Sequence, residues 1–226
     1  MQTDIDIDAL ERILAARQSC RAFRPGPVPD EVIARIVRAA GRAPSWCNAQ
    51  PWQVLVTRGE ETARFREALL AEVANGTPAP DLPWPEGYPG AYGARRRECG
   101  LQLYEAVGIA REDRAARAEQ RMENFRLFGA PHVAIVHSEA ALGPYGAMDT
   151  GGFVTAFMLA ATALGVGSIA QASVAAYAPF IRAHFALPER RLILCAIPFG
   201  WPDPEHPANS FRTTRAALDE VCDLRG

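Results

Sequence analysis

The chain carries, at residues 43–52, the sequence Ala43-Pro44-Ser45-Trp46-Cys47-Asn48-Ala49-Gln50-Pro51-Trp52. Hydroxyl and amide side chains lie here between two prolines, each of which fixes φ and removes a backbone donor. A rigid turn of this composition offers hydrogen-bond donors and acceptors to a planar heterocycle, although a plain loop with Asx turns has the same composition. Two regular elements flank the turn: a helix that begins at Asp30 and ends near Gly41, and a strand over 52–57.

Outside this turn, apolar periodicity predicts helices and buried strands that are well separated in sequence. We expect helices at 8–17, 60–74, 94–107, 111–128 and 148–164, and strands at 132–137 and 193–197. The helix over 148–164 is apolar on nearly all sides, but Asp149 near its start and the lack of a basic flank favour a core or subunit-interface helix over a membrane span. The pattern predicts a single layered domain, 1–226, of the α+β or α/β class.

Residues 75–92 interrupt this pattern with alternating prolines and glycines, and with the aromatic residues Trp84 and Tyr88. A stretch of this length without regular structure is typical of a lid, a binding loop or a linker. The two aromatic side chains favour a lid-like binding loop over a disordered surface loop, because a solvated loop gains nothing from them.

The basic residues of the chain are all of one kind. All 24 are arginines, and the net charge is −2. The absence of lysine excludes P-loop, Schiff-base and pyridoxal-phosphate lysine sites. The slightly negative net charge does not indicate binding to a nucleic acid or to an anionic membrane. Anions must therefore be bound by arginines, backbone N–H groups or hydroxyls.

The five cysteines are scattered without a Cys-x-x-Cys pair, and the four histidines never approach zinc-ligand spacing. This usage disfavours both a disulfide framework and a metal site, and it fits a reducing compartment. The acidic start of the chain also lacks an apolar signal region. We therefore expect a cytoplasmic protein without a bound metal.

Two arginine pairs lie at opposite ends of the chain. Arg17-Gln18-Ser19-Cys20-Arg21 follows the first helix, and Asn209-Ser210-Phe211-Arg212-Thr213-Thr214-Arg215 lies near the C-terminus. The two pairs would close on one phosphate if the ends of the chain meet in the fold. The first pair also fits the ordinary preference for arginine at a helix C-terminus.

A stretch of small residues over 165–173 contains Gly165-Val166-Gly167. A dinucleotide fingerprint requires a preceding strand and a third glycine. Here a helix precedes the stretch and Ala170 stands in the third position, so the Rossmann interpretation fails. Small side chains in this stretch still let backbone N–H groups approach a ligand closely.

Taken in this order, the four stretches resemble the FMN-dependent nitroreductases, and among these the nitrobenzoate-reductase branch. Arg17, Ser19 and Arg21 match the family's Arg-x-Ser-x-Arg signature. Residues 43–52 match Ala-Pro-Ser-x-x-Asn-x-Gln-Pro-Trp at every defined position, residues 164–167 match Leu-Gly-x-Gly, and Arg215 matches an arginine near the end.

The resemblance implies an α+β nitroreductase fold, with a central mixed β-sheet flanked by helices, in an intertwined homodimer. Two FMN molecules are expected at the subunit interface, each in contact with both chains. The C-terminal arm, from about 209 to 226, is expected to wrap toward the partner.

The resemblance also assigns roles to individual residues. Phosphate ligands are expected at Arg17, Ser19 and Arg215, with Arg212 as a fourth candidate. Gln18 is expected to contact the cofactor, and Arg21 is expected beside N1 and O2 of the isoalloxazine as an electrostatic group. Ring contacts are expected from Pro44, Ser45, Trp46 and Asn48 of the other subunit, from Asn124, and from backbone N–H groups around Gln171, Ala172 and Ser173. Candidates for aromatic substrate walls are Trp46, Trp84, Tyr88, Phe125 and Phe128, with 75–92 as the lid; Phe125 and Phe128 equally fit an ordinary core role.

The function implied is a ping-pong reductase in which no protein residue acts as a nucleophile. NADPH or NADH passes a hydride to FMN, and a nitroaromatic compound then receives electrons in pairs, through the nitroso compound to the hydroxylamine. Alternatives on the same fold are an enone or quinone reductase, a flavin-cleaving enzyme, a non-catalytic flavin-sequestering protein and a ligand-free structural dimer. A reductive dehalogenase is disfavoured because its lid uses lysine.

Overall fold

The computed structural model describes residues 6–226. The regular elements are α1 (Ile7–Ala16), α2 (Asp30–Ala40), β1 (Gln53–Thr57), α3 (Glu60–Asn75), α4 (Gly90–Ala106), α5 (Arg114–Met122), β2 (His132–Glu139), α6 (Gly143–Ala163), β3 (Gly167–Ser168), α7 (Ala172–Ala175), α8 (Ala178–His184), β4 (Arg191–Gly200) and α9 (Leu218–Val221). Residues 1–5 lie outside the described residues. Much of the expectation that the chain has no export signal rests on them.

The strands form one sheet in the order β1-β2-β4-β3. Each ladder is antiparallel, and β2 lies between β1 and β4, so that Ile135 faces Leu55 on one side and Ala196 on the other. The parallel component of the predicted mixed sheet is a single bridge between Ser19 and Ser168. This bridge joins the segment after α1 to the sheet edge.

Alternating side chains of β2 contribute to two hydrophobic cores, one on each face of the sheet. Ala134 and Val136 pack with α2 and α6, where Phe153 and Phe157 are buried. The intervening residues of β2 pack on the opposite face with α3, α7 and α8. Successive side chains of a strand point to opposite faces of the sheet, and both faces of β2 are buried. The sheet therefore lies between two layers of helices.

Three helices differ from the sequence expectation, and one of them, α4, begins at Gly90 instead of at 94. The helix predicted over 111–128 covers only Arg114–Met122, and turns follow it in which Leu127 and Phe128 have positive φ values of 55° and 52°. The apolar helix predicted from 148 begins five residues earlier, at Gly143, with a proline in its first turn. Proline is favoured there because its missing N–H has no partner in a first helical turn.

The expected lid is shorter than predicted and is fixed at one end. Helix α4 begins at Gly90, which leaves 76–89 as the connection. Ala79 N–H donates to the carbonyl of Ala176 at 2.6 Å. Asp81 forms a 2.5 Å ion pair with Arg182, and both side chains are nearly buried at 12% and 9% exposed.

The C-terminal arm contacts helix α4 of the same chain. Glu220 in α9 forms a 3.2 Å ion pair with Arg95, and a cavity of about 330 Å³ separates the arm from α4. Its extension toward a partner subunit stays a prediction. In the described part of the chain, no helix has the length and apolar character needed to cross a membrane.

Candidate functional site

The segment after α1 lies against the edge of the sheet. Cys20 N–H donates to the carbonyl of Ser168 at 3.1 Å, and Arg24 N–H donates to the carbonyl of Trp201 at 2.8 Å. Gly167 permits this approach, since a Cβ at that position would lie 2.8 Å from the Cys20 sulfur. The glycine of the Gly-x-Gly pattern is therefore explained by close packing of the backbone.

Asn209 holds the two ends of the chain together. Its side chain is buried, with Oδ1 accepting from the Arg21 N–H at 2.7 Å. Its Nδ2 donates to the carbonyls of Ala22, at 3.0 Å, and Asp203, at 2.8 Å. Sequence reasoning quoted Asn209 within the C-terminal stretch but gave it no role. A polar residue next to an arginine pair is the only signal that the sequence offers for this contact.

The two arginine pairs meet around one cavity of about 300 Å³. Its lining combines the segment after α1, the C-terminal arm and one residue of α4, and includes Arg17, Gln18, Ser19, Arg21, Cys99, Phe211, Arg212 and Arg215. None of the described residues that line it is a carboxylate. The two ends of the chain therefore meet, as the expectation required, and the binding of one phosphate by both pairs stays a prediction.

The electrostatics of this cavity favour an anion. Burial lowers the pKa of Arg17, and the nearby charge of Arg215 lowers it further. Burial likewise lowers the pKa of Arg21. The Arg21 guanidinium donates to the Ser19 carbonyl at 3.3 Å and lies 5.5 Å from the centre of the Phe211 ring. Desolvated guanidiniums without a carboxylate partner are stabilised by a bound anion, and a phosphate monoester suits their planar geometry.

The turn over 43–52 concentrates backbone strain at an exposed position. Cys47, Asn48 and Gln50 have φ values of 52°, 55° and 49°, in the left-handed region that costs roughly 1–2 kcal/mol for a residue with a Cβ. Ser45 Oγ supports the turn by accepting the Gln50 N–H at 2.9 Å. Strain of this kind, held in place by local hydrogen bonds, is typical of ligand-binding segments.

Trp46 lines a second, separate cavity. Its backbone N–H donates to the Asp149 carboxylate at 3.0 Å, and its indole packs edge-on against Tyr145, with the ring centres 4.5 Å apart. This cavity of about 320 Å³ does not include the arginines. Of the residues expected to contact the flavin ring, Trp46 alone lines this cavity, so within one chain Trp46 lies apart from the arginines expected to bind the phosphate. The resemblance assigns them to different subunits.

Gln171 and Asn124 contact each other. The Gln171 side-chain amide donates to the backbone carbonyl of Asn124 at 3.0 Å and to its Oδ1 at 3.1 Å. The backbone N–H of Gln171 donates to the Ala196 carbonyl at 2.8 Å. The expectation that this N–H addresses a flavin ring is therefore wrong. Ala172 and Ser173 begin α7, where N–H groups have no partner within the helix.

The predicted substrate-wall residues divide into exposed and buried groups. Trp46, Trp84 and Tyr88 are about half exposed, at 58%, 54% and 49%. Phe125 is half-buried and packs edge-on against Tyr177. Phe128 is buried, at 6% exposed, so its packing role replaces the predicted substrate role.

Metal-ligating side chains are not gathered anywhere in the described residues. Between residues 6 and 226, no group of three or more His, Cys, Asp or Glu side chains has the geometry to hold a metal ion.

Comparison with known proteins identifies the family. The model of the nitroreductase family matches residues 14–201. The chain belongs to the nitroreductase family. The predicted family and the nitroreductase fold are thereby confirmed.

Individual relatives cover nearly the whole chain. Nitroreductase NfnB of Mycolicibacterium smegmatis is 38% identical over 214 residues, which are 94% of this chain and 91% of the relative. A 4-nitrobenzoate reductase of a Nocardioides species is 30% identical over 218 residues, which are 94% of this chain and 88% of the relative. The crystal structure of the FMN-dependent nitroreductase NfnB from Mycobacterium smegmatis in complex with NADPH has a TM-score of 0.92 at 37% identity, covering 97% of this chain and 99% of that one.

Proposed function

We propose that the protein is an FMN-dependent, NADPH-oxidising nitroreductase that reduces nitroaromatic compounds. The observation that carries the proposal is the carboxylate-free arginine cavity assembled from both ends of the chain. Its charge and its volume of about 300 Å³ suit a phosphate group and part of the attached ribityl chain. The relatives support it further, since one is an FMN-dependent nitroreductase crystallised with NADPH and another is a 4-nitrobenzoate reductase.

Arg17, Ser19 and Arg215 hold the FMN phosphate in this proposal, with Arg212 as a fourth ligand and Gln18 beside them. A phosphate monoester carries about −1.5 to −2 charges at neutral pH, which offsets the crowding of like charge that lowers the Arg17 pKa. Asn209 positions the cavity by fixing the Arg21 backbone to the C-terminal arm. FMN bound there would supply the redox chemistry, a two-electron transfer from NADPH to the nitro group.

Arg21 acts on the flavin ring rather than on the phosphate. Burial lowers the pKa of both Arg17 and Arg21, and Arg21 is the more deeply buried of the two. The side chain of Arg21 contacts the Ser19 carbonyl and the Phe211 ring. A fixed cation beside the pyrimidine edge of the ring stabilises the negative charge that accumulates there on reduction. The residue therefore tunes the reduction potential and exchanges no proton.

We propose that the active form is a homodimer. Helix α1 buries none of its residues, and Ile7, Leu10 and Leu14 are 59%, 45% and 48% exposed. Helix α6, which contacts α1, exposes Tyr145 and Met148. An apolar surface on two adjoining helices is stabilised by a second copy of the chain. That copy would bring Pro44, Ser45 and Asn48 to the flavin ring bound by its partner.

The substrate slot of the dimer is formed by the exposed aromatic residues. Trp46, Trp84 and Tyr88 present ring faces to which a flat nitroaromatic compound can stack, with Phe125 at the Gln171–Asn124 pair. The loop 76–89 acts as the lid and is fixed at Asp81. The five free cysteines support the further proposal of a cytoplasmic, reducing location.

The experiment that tests the function is anaerobic spectroscopy of the purified protein. We expect a flavin absorption spectrum that is bleached by NADPH and restored by 4-nitrobenzoate, with the hydroxylamine as the product in chromatography. Parallel lines in a double-reciprocal plot would support the ping-pong sequence. A flavin spectrum that NADPH leaves unchanged would instead indicate a flavin-sequestering protein, and a colourless protein that does not bind added FMN would refute the proposal.

A further inference from the structure

A second group of arginines lines a groove between helices α4 and α5. Arg96 and Arg97 lie on α4, Arg117 lies on α5, and Arg111 lies in the connection between the helices. With Tyr104 they surround a volume of about 480 Å³, and no carboxylate lines it. Among the described residues, none of these four arginines has an ion pair, whereas the adjacent Arg95 is paired with Glu220.

One wall of this groove is held rigidly. The Arg117 guanidinium lies 4.8 Å from the centre of the Tyr104 ring, and its Nη1 donates to the Arg111 carbonyl at 3.0 Å. Its Nε is buried without a protein partner. A guanidinium stacked on an aromatic ring retains its in-plane donors for an anion. The groove thus combines a fixed donor with three arginines that lack carboxylate partners.

The groove adjoins both parts of the candidate site. Cys99 lines this groove and also the arginine cavity assigned to the FMN phosphate. On the other side, the Arg96 guanidinium lies 5.1 Å from the centre of the Tyr88 ring in the lid. A ligand in the groove would therefore lie between the flavin site and the lid.

We propose that this groove binds the adenosine half of NADPH through its 2′-phosphate. The proposal rests on the proposed function. A 2′-phosphate is a monoester with nearly two negative charges, and unpaired guanidiniums bind such a group by charge-assisted hydrogen bonds. The adenine ring has a flat face for Tyr104 or an arginine plane. NADH has a hydroxyl in place of this phosphate, so the groove selects NADPH.

The test compares steady-state reduction with NADPH and with NADH in matched variants. Arg96→Gln combined with Arg111→Gln removes two exposed charges from the groove, and Arg114→Gln removes one exposed charge from α5 outside it. We expect kcat/KM for NADPH to fall by about 10- to 100-fold in the double variant, because KM for NADPH rises. We expect kcat/KM for NADH to stay within about twofold of the wild-type value. The Arg114 control should leave both values unchanged.

Two measurements separate this proposal from the proposed function. The FMN content of the double variant, and reoxidation of its dithionite-reduced form by 4-nitrobenzoate, should equal those of the wild type. In a binding assay, 2′,5′-ADP should compete with NADPH, while 5′-AMP and pyrophosphate should compete far more weakly. Loss of NADPH and NADH activity by the same factor, or unchanged NADPH kinetics, would overturn the proposal. Competition by pyrophosphate as strong as that by 2′,5′-ADP would also overturn it, since the groove would then be a general polyanion surface.

Discussion

Replacing Arg17 by Gln should change the apoprotein and the FMN complex in different ways. In the apoprotein, burial and the charge of Arg215 oppose the charged form of Arg17 and lower its pKa. Removing the charge relieves that repulsion, so we expect the thermal unfolding midpoint of the apoprotein to stay the same or to rise. In the FMN complex, the variant loses a charge-assisted hydrogen bond to the phosphate worth about 1.5–3 kcal/mol.

This loss corresponds to a dissociation constant for FMN that is about 10- to 150-fold larger, at 1.36 kcal/mol per factor of ten. The assay is titration of the stripped apoprotein with FMN, followed by quenching of flavin fluorescence. Arg35→Gln, on the exposed face of α2, provides a control with the same change of charge. The reasoning would be refuted if Arg17→Gln left the dissociation constant for FMN unchanged. It would also be refuted if the substitution lowered the unfolding midpoint of the apoprotein as much as that of the FMN complex.

Three further changes probe other contacts. Arg21→Ala should lower the midpoint potential of the bound flavin by several tens of millivolts while FMN stays bound, because a buried cation beside the ring stabilises its reduced form; redox titration with a reference dye measures this. Asp81→Asn removes the buried ion-pair partner of Arg182 and leaves only the exposed Glu189 at 3.4 Å, so we expect a loss of about 3 kcal/mol in the free energy of unfolding and faster proteolysis within 76–89. Burial and the charge of Arg191 lower the pKa of His137 to about 4. Because its pKa in the unfolded chain is about 6.5, the folded state loses about 1–3 kcal/mol as the pH falls from 6.5 to 4, a loss that His137→Asn should lack in urea unfolding.

Each of these expectations has an outcome that contradicts it. A flavin potential that Arg21→Ala leaves unchanged would remove the electrostatic role of that residue. Equal proteolysis rates for Asp81→Asn and the wild type would show that the ion pair does not fix the lid. If His137→Asn shows the same dependence of stability on pH as the wild type, other groups account for the acid transition.

The features that the sequence predicted depend on local chemistry. The turn over 43–52 is fixed by Pro44 and Pro51 together with the β-branched run that follows, and it lies directly before β1 as expected. The arginine pairs were identifiable because no lysine competes for the role of anion ligand. Their convergence was conditional on the ends of the chain meeting, which the sequence could not establish.

The features that the sequence missed depend on contacts between distant residues. Asp81 and Arg182 are 101 positions apart, and neither residue stands in a pattern that indicates a buried pair. The register of β4 places the Ala196 carbonyl opposite the Gln171 N–H, and register over such a distance is set by the packed core. The sequence left Phe128 equally open to a substrate wall and to the core, because its burial depends on the positive-φ turn at 127–128 and on packing that the pattern of a helix over 111–128 does not show.

Discrimination between FMN and riboflavin tests most directly whether the arginines from both ends of the chain bind one flavin phosphate. Riboflavin has the same ring and ribityl chain but no phosphate, so its binding isolates the contribution of the cavity. We predict that the wild-type apoprotein binds FMN at least about 100-fold more tightly than riboflavin, from two or more charge-assisted hydrogen bonds. We predict further that the Arg17→Gln, Arg215→Gln double variant loses most of this preference. Equal affinity of the wild type for the two flavins would contradict the account.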